Sequence, residues 1–66
     1  MRKMSLEDKV RKAMGLSAFI YHLYQRRIVT RQRALYALDR IAHRVQRDET
    51  AHEAISTTYM TVEAGT

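Results

Sequence analysis

Apolar residues recur at spacings of three and four along the first part of the chain, which is the period of an amphipathic α-helix. Ser5 stands just before this series and can cap the free N–H groups of a first helical turn. Asp8, three residues later, completes the pattern of a capping box. We therefore predict a first helix that begins at Ser5 and ends at about Gln25 or Arg27. Its stripe contains Leu6, Val10, Ala13, Ser17, Ile20 and Tyr24, widened by Met14, Leu16, Phe19 and Leu23.

Two further segments show the same helical period. Thr30 is a candidate N-cap for the second segment, and Thr50, with Glu53 three residues later, predicts the start of the third. The stripe of the second segment is Ala34, Leu35, Leu38, Ile41, Ala42 and Val45. The stripe of the third is Ala51, Ala54, Ile55, Tyr59 and Val62. The outward side of the second segment is predicted to carry Arg33, Tyr36, Arg40, Arg44 and Arg47.

Two alternatives to this division stay open. Neither Gly nor Pro separates the second segment from the third, so a single long helix is compatible with the sequence, although the cap at Thr50 favours a break. Residues 56–62 are rich in β-branched and aromatic side chains, so a strand or a frayed helix end is the alternative there.

The fold class predicted from these segments is all-α. The chain has no Pro, only two Gly and none of the Asn-Gly or Asp-Gly pairs that mark β-hairpins. We predict one small domain over residues 1–66, built as an antiparallel helical hairpin with a short third helix.

A homodimer is the expected assembly. A chain of 66 residues buries only about 60% of the surface that its unfolded form exposes, and without Cys it has no disulfide to compensate. The first helix is also apolar on more than one side, which a bundle of two or three helices cannot cover. The predicted dimer interface is Leu16, Phe19, Ile20, Leu23, Leu38 and Ile41.

Positive charge is concentrated in the first half of the chain. Residues 1–33 carry nine basic and two acidic residues, a net charge of +7, whereas residues 34–66 have a net charge of −2. Guanidinium groups bind phosphate through two parallel hydrogen bonds, and Tyr and Gln also contact nucleic acids. The sequence therefore predicts a nucleic-acid-binding surface. The alternatives are a solvated basic face that keeps the protein soluble, or a basic face that pairs with acids such as Asp39. Its predicted residues are Arg26, Arg27, Arg31, Gln32, Arg33, Tyr36, Arg40 and Arg44.

The histidines offer weak candidates for catalysis. His43 and His52 each follow an aspartate by four residues, a spacing that can orient an imidazole but is more often a surface pair. No zinc-protease helix motif, nucleophile elbow or phosphate-binding glycine loop occurs. We expect no enzyme activity, no metal and no cofactor.

No run of apolar residues is long enough to span a membrane. The basic start at Met1–Met4 is followed by acidic residues rather than an apolar region, so we expect no signal peptide. The absence of Cys fits a reducing cytoplasm, which is the predicted location. An anionic membrane surface is a further candidate partner, although the charges of the first helix cluster at its ends.

Residues 15–41 resemble a helical hairpin of prokaryotic toxin–antitoxin proteins. The stretch is similar to the C-terminal helices of PIN-domain toxins, where an apolar helix ends in a Tyr-x-Arg-Arg-Ile/Leu turn, here Tyr24 to Ile28, and a second helix follows. It is also similar to the helical segment of some small antitoxins. A PIN nuclease needs acidic metal ligands spread over a sheet, and no strands are predicted before the hairpin. The resemblance therefore implies an interaction segment and no catalytic residue.

The function predicted from these patterns is a non-enzymatic DNA-binding or toxin–antitoxin-type regulator that uses its arginine-rich face. The alternative is an adaptor or inhibitor that docks its apolar helix face on an acidic protein partner. The placement of the arginines distinguishes the two. Arginines on a single continuous face of the dimer, about as wide as a duplex, favour nucleic acid, whereas scatter, or pairing with Asp39, Asp48 and Glu49, favours the adaptor.

Overall fold

Three α-helices make up the described part of the protein. A computed structural model describes residues 5–65, in which α1 spans Leu6–Gln25, α2 spans Arg31–Arg44 and α3 spans Glu49–Glu63. No strand occurs in this part of the chain, so the all-α prediction is confirmed. Residues 1–4, on which the signal-peptide argument depends, and Thr66 lie outside the described residues.

The helix α1 begins at the predicted cap and ends in a tight turn. The backbone N–H of Asp8 donates to Ser5 Oγ over 3.1 Å. At the other end, the N–H of Ile28 donates to the carbonyl of Leu23 (2.9 Å) and the N–H of Arg27 donates to the carbonyl of Tyr24 (3.0 Å). This pair of bonds is a Schellman motif, which closes a helix through one residue in the left-handed conformation.

The helices α2 and α3 are separate, each with its own cap. Thr30 caps α2 as predicted, because its Oγ1 accepts from the N–H of Arg33 (3.2 Å). The predicted cap of α3 at Thr50 is wrong. The cap is Asp48, whose Oδ1 accepts from the N–H of Ala51 (2.9 Å), so the helix begins before Thr50.

The β-branched run in 56–62 is helical. The hydroxyls of Thr57, Thr58 and Thr61 donate to backbone carbonyls four residues earlier, at 2.9–3.1 Å. These bonds satisfy the hydroxyls within the helix itself, while Ile55 and Val62 are buried against the other helices. With 15 residues, α3 is shorter than the 20-residue α1 and one residue longer than α2.

One apolar core lies among the three helices, because each helix contacts both of the others. The largest fully buried side chains are Leu38, Val45, Ile55 and Val62. Ile41 and Ala34 of α2 join them, as do Ala13 of α1 and Ala51 of α3. The buried sides of α2 and α3 are therefore the sides that the apolar stripes predicted.

The core accounts for two residues that the sequence assigned to a dimer interface. Leu38 is 0% exposed and Ile41 is 8% exposed within a single chain. The assignment of these two residues is therefore corrected, because α1 and α3 already cover them. Leu16 and Phe19 stay at the surface, and Ile20 and Leu23 are partly buried. No helix in residues 5–65 is both long and apolar enough to cross a membrane.

Candidate nucleic-acid interface

The outward side of α2 presents a row of arginines. Arg33, Tyr36, Arg40 and Arg44 follow one another at spacings of three and four and are all exposed. The opposite side of the helix is held in the core by its apolar stripe, so the phase of the helix fixes where the arginines lie. At 1.5 Å per residue the row is about 16 Å long. We call these four residues the α2 face.

Tyr36 and Arg40 form a contact within this face. Nη1 of Arg40 donates a hydrogen bond to the phenolic oxygen of Tyr36 over 3.1 Å. The guanidinium carbon lies 5.7 Å from the centre of the tyrosine ring, which adds a cation–π attraction. Together the two contacts restrain both side chains. Within residues 5–65, the guanidinium of Arg40 makes no other hydrogen bond to the protein.

The α2 face has no acidic counterion in the described structure. Between residues 5 and 65, the only ion pair joins Nη2 of Arg11 to Oε1 of Glu7 on α1, at 3.2 Å. Asp39 lines a cleft beside Tyr36 and Arg40 but pairs with neither. The basic side chains of α2 are thus available to an external anion.

A shallow cleft of about 530 Å³ borders the α2 face at its N-terminal end. Gln32 lines this cleft together with Arg33 and Tyr36. The predicted site residue Gln32 therefore lies beside the face, where its amide can donate to or accept from a bound molecule.

The remaining predicted arginines lie elsewhere. Arg26 and Arg27 are exposed in the turn after α1. Arg31 is in the first turn of α2, but it reaches the carboxyl end of α3, where its guanidinium packs against Gly65. Arg27, Arg31 and Gly65 line a cleft of about 500 Å³ there. The negative end of the α3 dipole favours these cations. The eight predicted residues therefore form two groups.

The histidines do not meet in one site. His43 lines the cleft that contains Arg40 and Arg44, whereas His52 lines a second cleft with Ser56 and Tyr59. Asp39 borders both clefts, and no hydrogen bond within residues 5–65 joins it to either imidazole. In the same residues, no group of three His, Asp or Glu side chains is placed to hold a metal ion.

Two basic residues missed by the sequence reasoning line a cavity of their own. Lys9 and Lys12 of α1 lie with Arg44 around an apolar cavity of about 310 Å³ between α1 and α2. The signal that could have identified them is their spacing from Leu16, which places all three on one side of α1. Arg44 thus belongs both to the α2 face and to this cavity.

Comparison of the sequence with protein-family models and with curated proteins, and of the fold with solved structures, gives no match.

Proposed function

We propose that the protein is a non-enzymatic nucleic-acid-binding protein whose α2 face contacts the phosphate backbone of a DNA duplex. The observation that carries the proposal is the α2 face itself. Three arginines lie exposed in one row of about 16 Å, and none of them is neutralised by a carboxylate of the described chain.

The chemistry of these side chains suits phosphate. A guanidinium group is planar, always charged and able to donate two parallel hydrogen bonds to phosphate oxygens. Phosphates along one DNA strand follow one another every 3.4 Å of helix axis, about five over the length of the α2 face. The Tyr36 hydroxyl and the Gln32 amide add neutral donors at its edge.

Contacts of this kind hold a protein on a duplex without reading its sequence. The turn after α1 adds positive potential near Arg27 and Arg31, and the net charge of +5 attracts the duplex from a distance. The resemblance of residues 15–41 to toxin–antitoxin hairpins suggests a regulator of the toxin–antitoxin type. That role, the homodimer and the cytoplasmic location remain predictions from the sequence.

The test is fluorescence anisotropy with a labelled mixed-sequence duplex and the full chain, between about 50 mM and about 200 mM salt. Affinity is expected to fall as salt rises, because neutralised phosphates release counterions. Arg40→Gln removes one phosphate contact, so the slope of log affinity against log salt should become shallower by about 0.9.

Arg11→Gln is the matched control. It removes the same charge from an exposed position on α1, where the guanidinium is already paired with Glu7. This variant should leave the slope unchanged. Absence of binding at the lower salt concentration would refute the proposal, and so would equal changes of slope in the two variants.

A further inference from the structure

The helix α1 carries two adjacent rows of residues with the same alternating spacing of three and four. This spacing is typical of a seam between packed helices. The buried row faces α2 and α3 and consists of Val10, Ala13, Ser17, Ile20 and Tyr24. The outer row is displaced by one residue and consists of Lys9, Lys12, Leu16, Phe19 and Leu23.

The protein covers only one of these rows. Phe19 is 56% exposed and Leu16 is 38% exposed, although both are large apolar side chains. The outer row extends for about 21 Å, or about four helical turns, and its apolar part, from Leu16 to the partly buried Leu23, extends for about 10 Å. Exposed apolar side chains beside charged residues, as here, are typical of a protein interaction surface.

A cavity at the N-terminal end of the outer row adds depth to the surface. Its volume is about 310 Å³, and the core residues Ala13, Ile41 and Val45 line it. This space is large enough to receive an apolar side chain from outside. Three exposed cations surround it: Lys9, Lys12 and Arg44. No acidic residue is among those that line it in the described structure.

We propose that the outer row and this cavity dock an amphipathic helix of a partner protein, and that this helix carries acidic side chains beside its apolar face. One apolar side chain of the partner enters the cavity, and the next ones along its helix pack on Leu16 and Phe19. Carboxylates of the partner pair with Lys9 and Lys12. This is the helix-in-groove mode of recognition, in which apolar anchors recur at helical spacing.

Charge determines which occupant fits. If a second copy packed its own outer row here in a parallel orientation, Lys9 and Lys12 would face the same lysines. In an antiparallel orientation Lys9 would approach Arg26, which is exposed at the other end of α1. Lys9 therefore meets a like charge in both orientations, which disfavours self-association. An acidic helix replaces this repulsion with attraction, and the net charge of +5 accelerates its approach.

The surface is separate from the proposed duplex contact. Phe19 and Leu16 offer nothing to a sugar–phosphate backbone, whereas they match the apolar face of a helix. The α2 face and this surface share one residue, Arg44, which also lines the cavity. Duplex binding should therefore depend on Arg40 and not on Phe19, and helix docking should show the reverse.

The test uses three labelled helical peptides of about 18 residues, long enough to form helix in water. Each peptide has Leu at spacings of three and four, with Glu at the positions beside the Leu residues. The three peptides differ in the position along the peptide at which the Leu stripe begins. Matched peptides carry Lys in place of every Glu. At about 50 mM salt, at least one acidic peptide should bind the full chain, and its Lys counterpart should bind at least tenfold more weakly.

Variants locate the site. Phe19→Ala should weaken acidic-peptide binding by about fivefold or more, as for a central anchor, whereas Met60→Ala, at a similarly exposed residue of α3, should not. Lys12→Glu should weaken binding of the acidic peptide. A peptide in which the Glu that pairs with Lys12 is changed to Lys should bind this variant again, because the swapped charges attract. If Lys12 had only a structural role, the change in the peptide would not restore binding.

Three results would overturn the proposal. The first is that no acidic peptide binds at the lower salt concentration. The second is that light scattering shows a dimer that Phe19→Ala converts to monomer, which assigns the surface to a second copy. The third is that the chain sediments with vesicles containing phosphatidylserine through Phe19 while ignoring the peptides, which assigns it to a membrane. None of these results bears on the Arg40 experiment.

Discussion

Arg27 occupies the left-handed backbone conformation, with φ of 61°, at the turn that closes α1. This position is C′ of a Schellman motif, where glycine is the usual residue because a Cβ is crowded there. The conformation costs a residue other than glycine about 1–2 kcal/mol. The two backbone hydrogen bonds of the turn offset this cost. The sequence predicts a helix end at about Gln25 or Arg27, but with no Gly or Asn nearby it does not identify Arg27 as the residue in the left-handed conformation.

Replacing Arg27 by Gly should increase the free energy of unfolding by about 1 kcal/mol, because glycine adopts the left-handed conformation without a steric penalty. Urea denaturation followed by helical circular dichroism measures the change. An increase in midpoint with an unaltered slope is expected, since the folded state buries the same surface.

The comparison that isolates backbone strain is Arg26→Gly. Arg26 has φ of −83°, so glycine relieves no crowding there. The variant loses the same charge from the same turn, yet it should be destabilised by about 0.5–1 kcal/mol through the added freedom of the unfolded chain. If both variants became more stable, relief of charge repulsion and not strain would explain the gain.

At the scale of the helices, the helical period of α2 predicted both its buried side and the position of its exposed arginines. The apolar stripe of α2 fixed its buried side, and the α2 face followed on the opposite side. The same helical period places Arg31 on a different side of α2 from Arg33. The sequence was therefore sufficient to predict that Arg31 lies outside the α2 face. What the sequence could not supply was the position of the α3 terminus, against which Arg31 packs.

The start of α3 shows how two candidate caps compete. Asp48 and Thr50 both precede the stripe of α3, and the capping-box pattern favoured Thr50. The chain uses Asp48, whose carboxylate accepts a hydrogen bond and also carries negative charge at the positive end of the helix dipole. Thr50 is therefore an ordinary exposed helical residue.

Asp48→Ala should lower the free energy of unfolding by about 1 kcal/mol through loss of the cap. Thr50→Ala, in contrast, should leave stability unchanged or raise it by a few tenths of a kcal/mol, because Ala is the better helix former. Thermal unfolding of the two variants side by side measures the difference. A larger loss for Thr50→Ala would mean that α3 begins two residues later than the structure shows.

At the scale of the whole molecule, the packing of α3 determines what covers the apolar side of α2, which periodicity alone does not show. Periodicity shows that Leu38 and Ile41 face something apolar, but not whether that is another part of the chain or a second copy. With α3 a full-length helix, the chain covers these residues itself. Of the residues predicted for the dimer interface, Leu16 and Phe19 are the ones that this packing leaves exposed.

A core formed within one chain also predicts how stability responds to a small loss of volume. Ile55→Val removes one methylene from a residue that is 0% exposed, so the free energy of unfolding should fall by about 0.5–1.5 kcal/mol. Ile28→Val makes the same chemical change at a residue that is 64% exposed and should have almost no effect. Both are measured by urea denaturation at two protein concentrations.

If α1, α2 and α3 of one chain suffice for folding, the midpoints are independent of concentration. A midpoint that rises with concentration would show that a second chain contributes to stability, because association then stabilises the folded state by mass action.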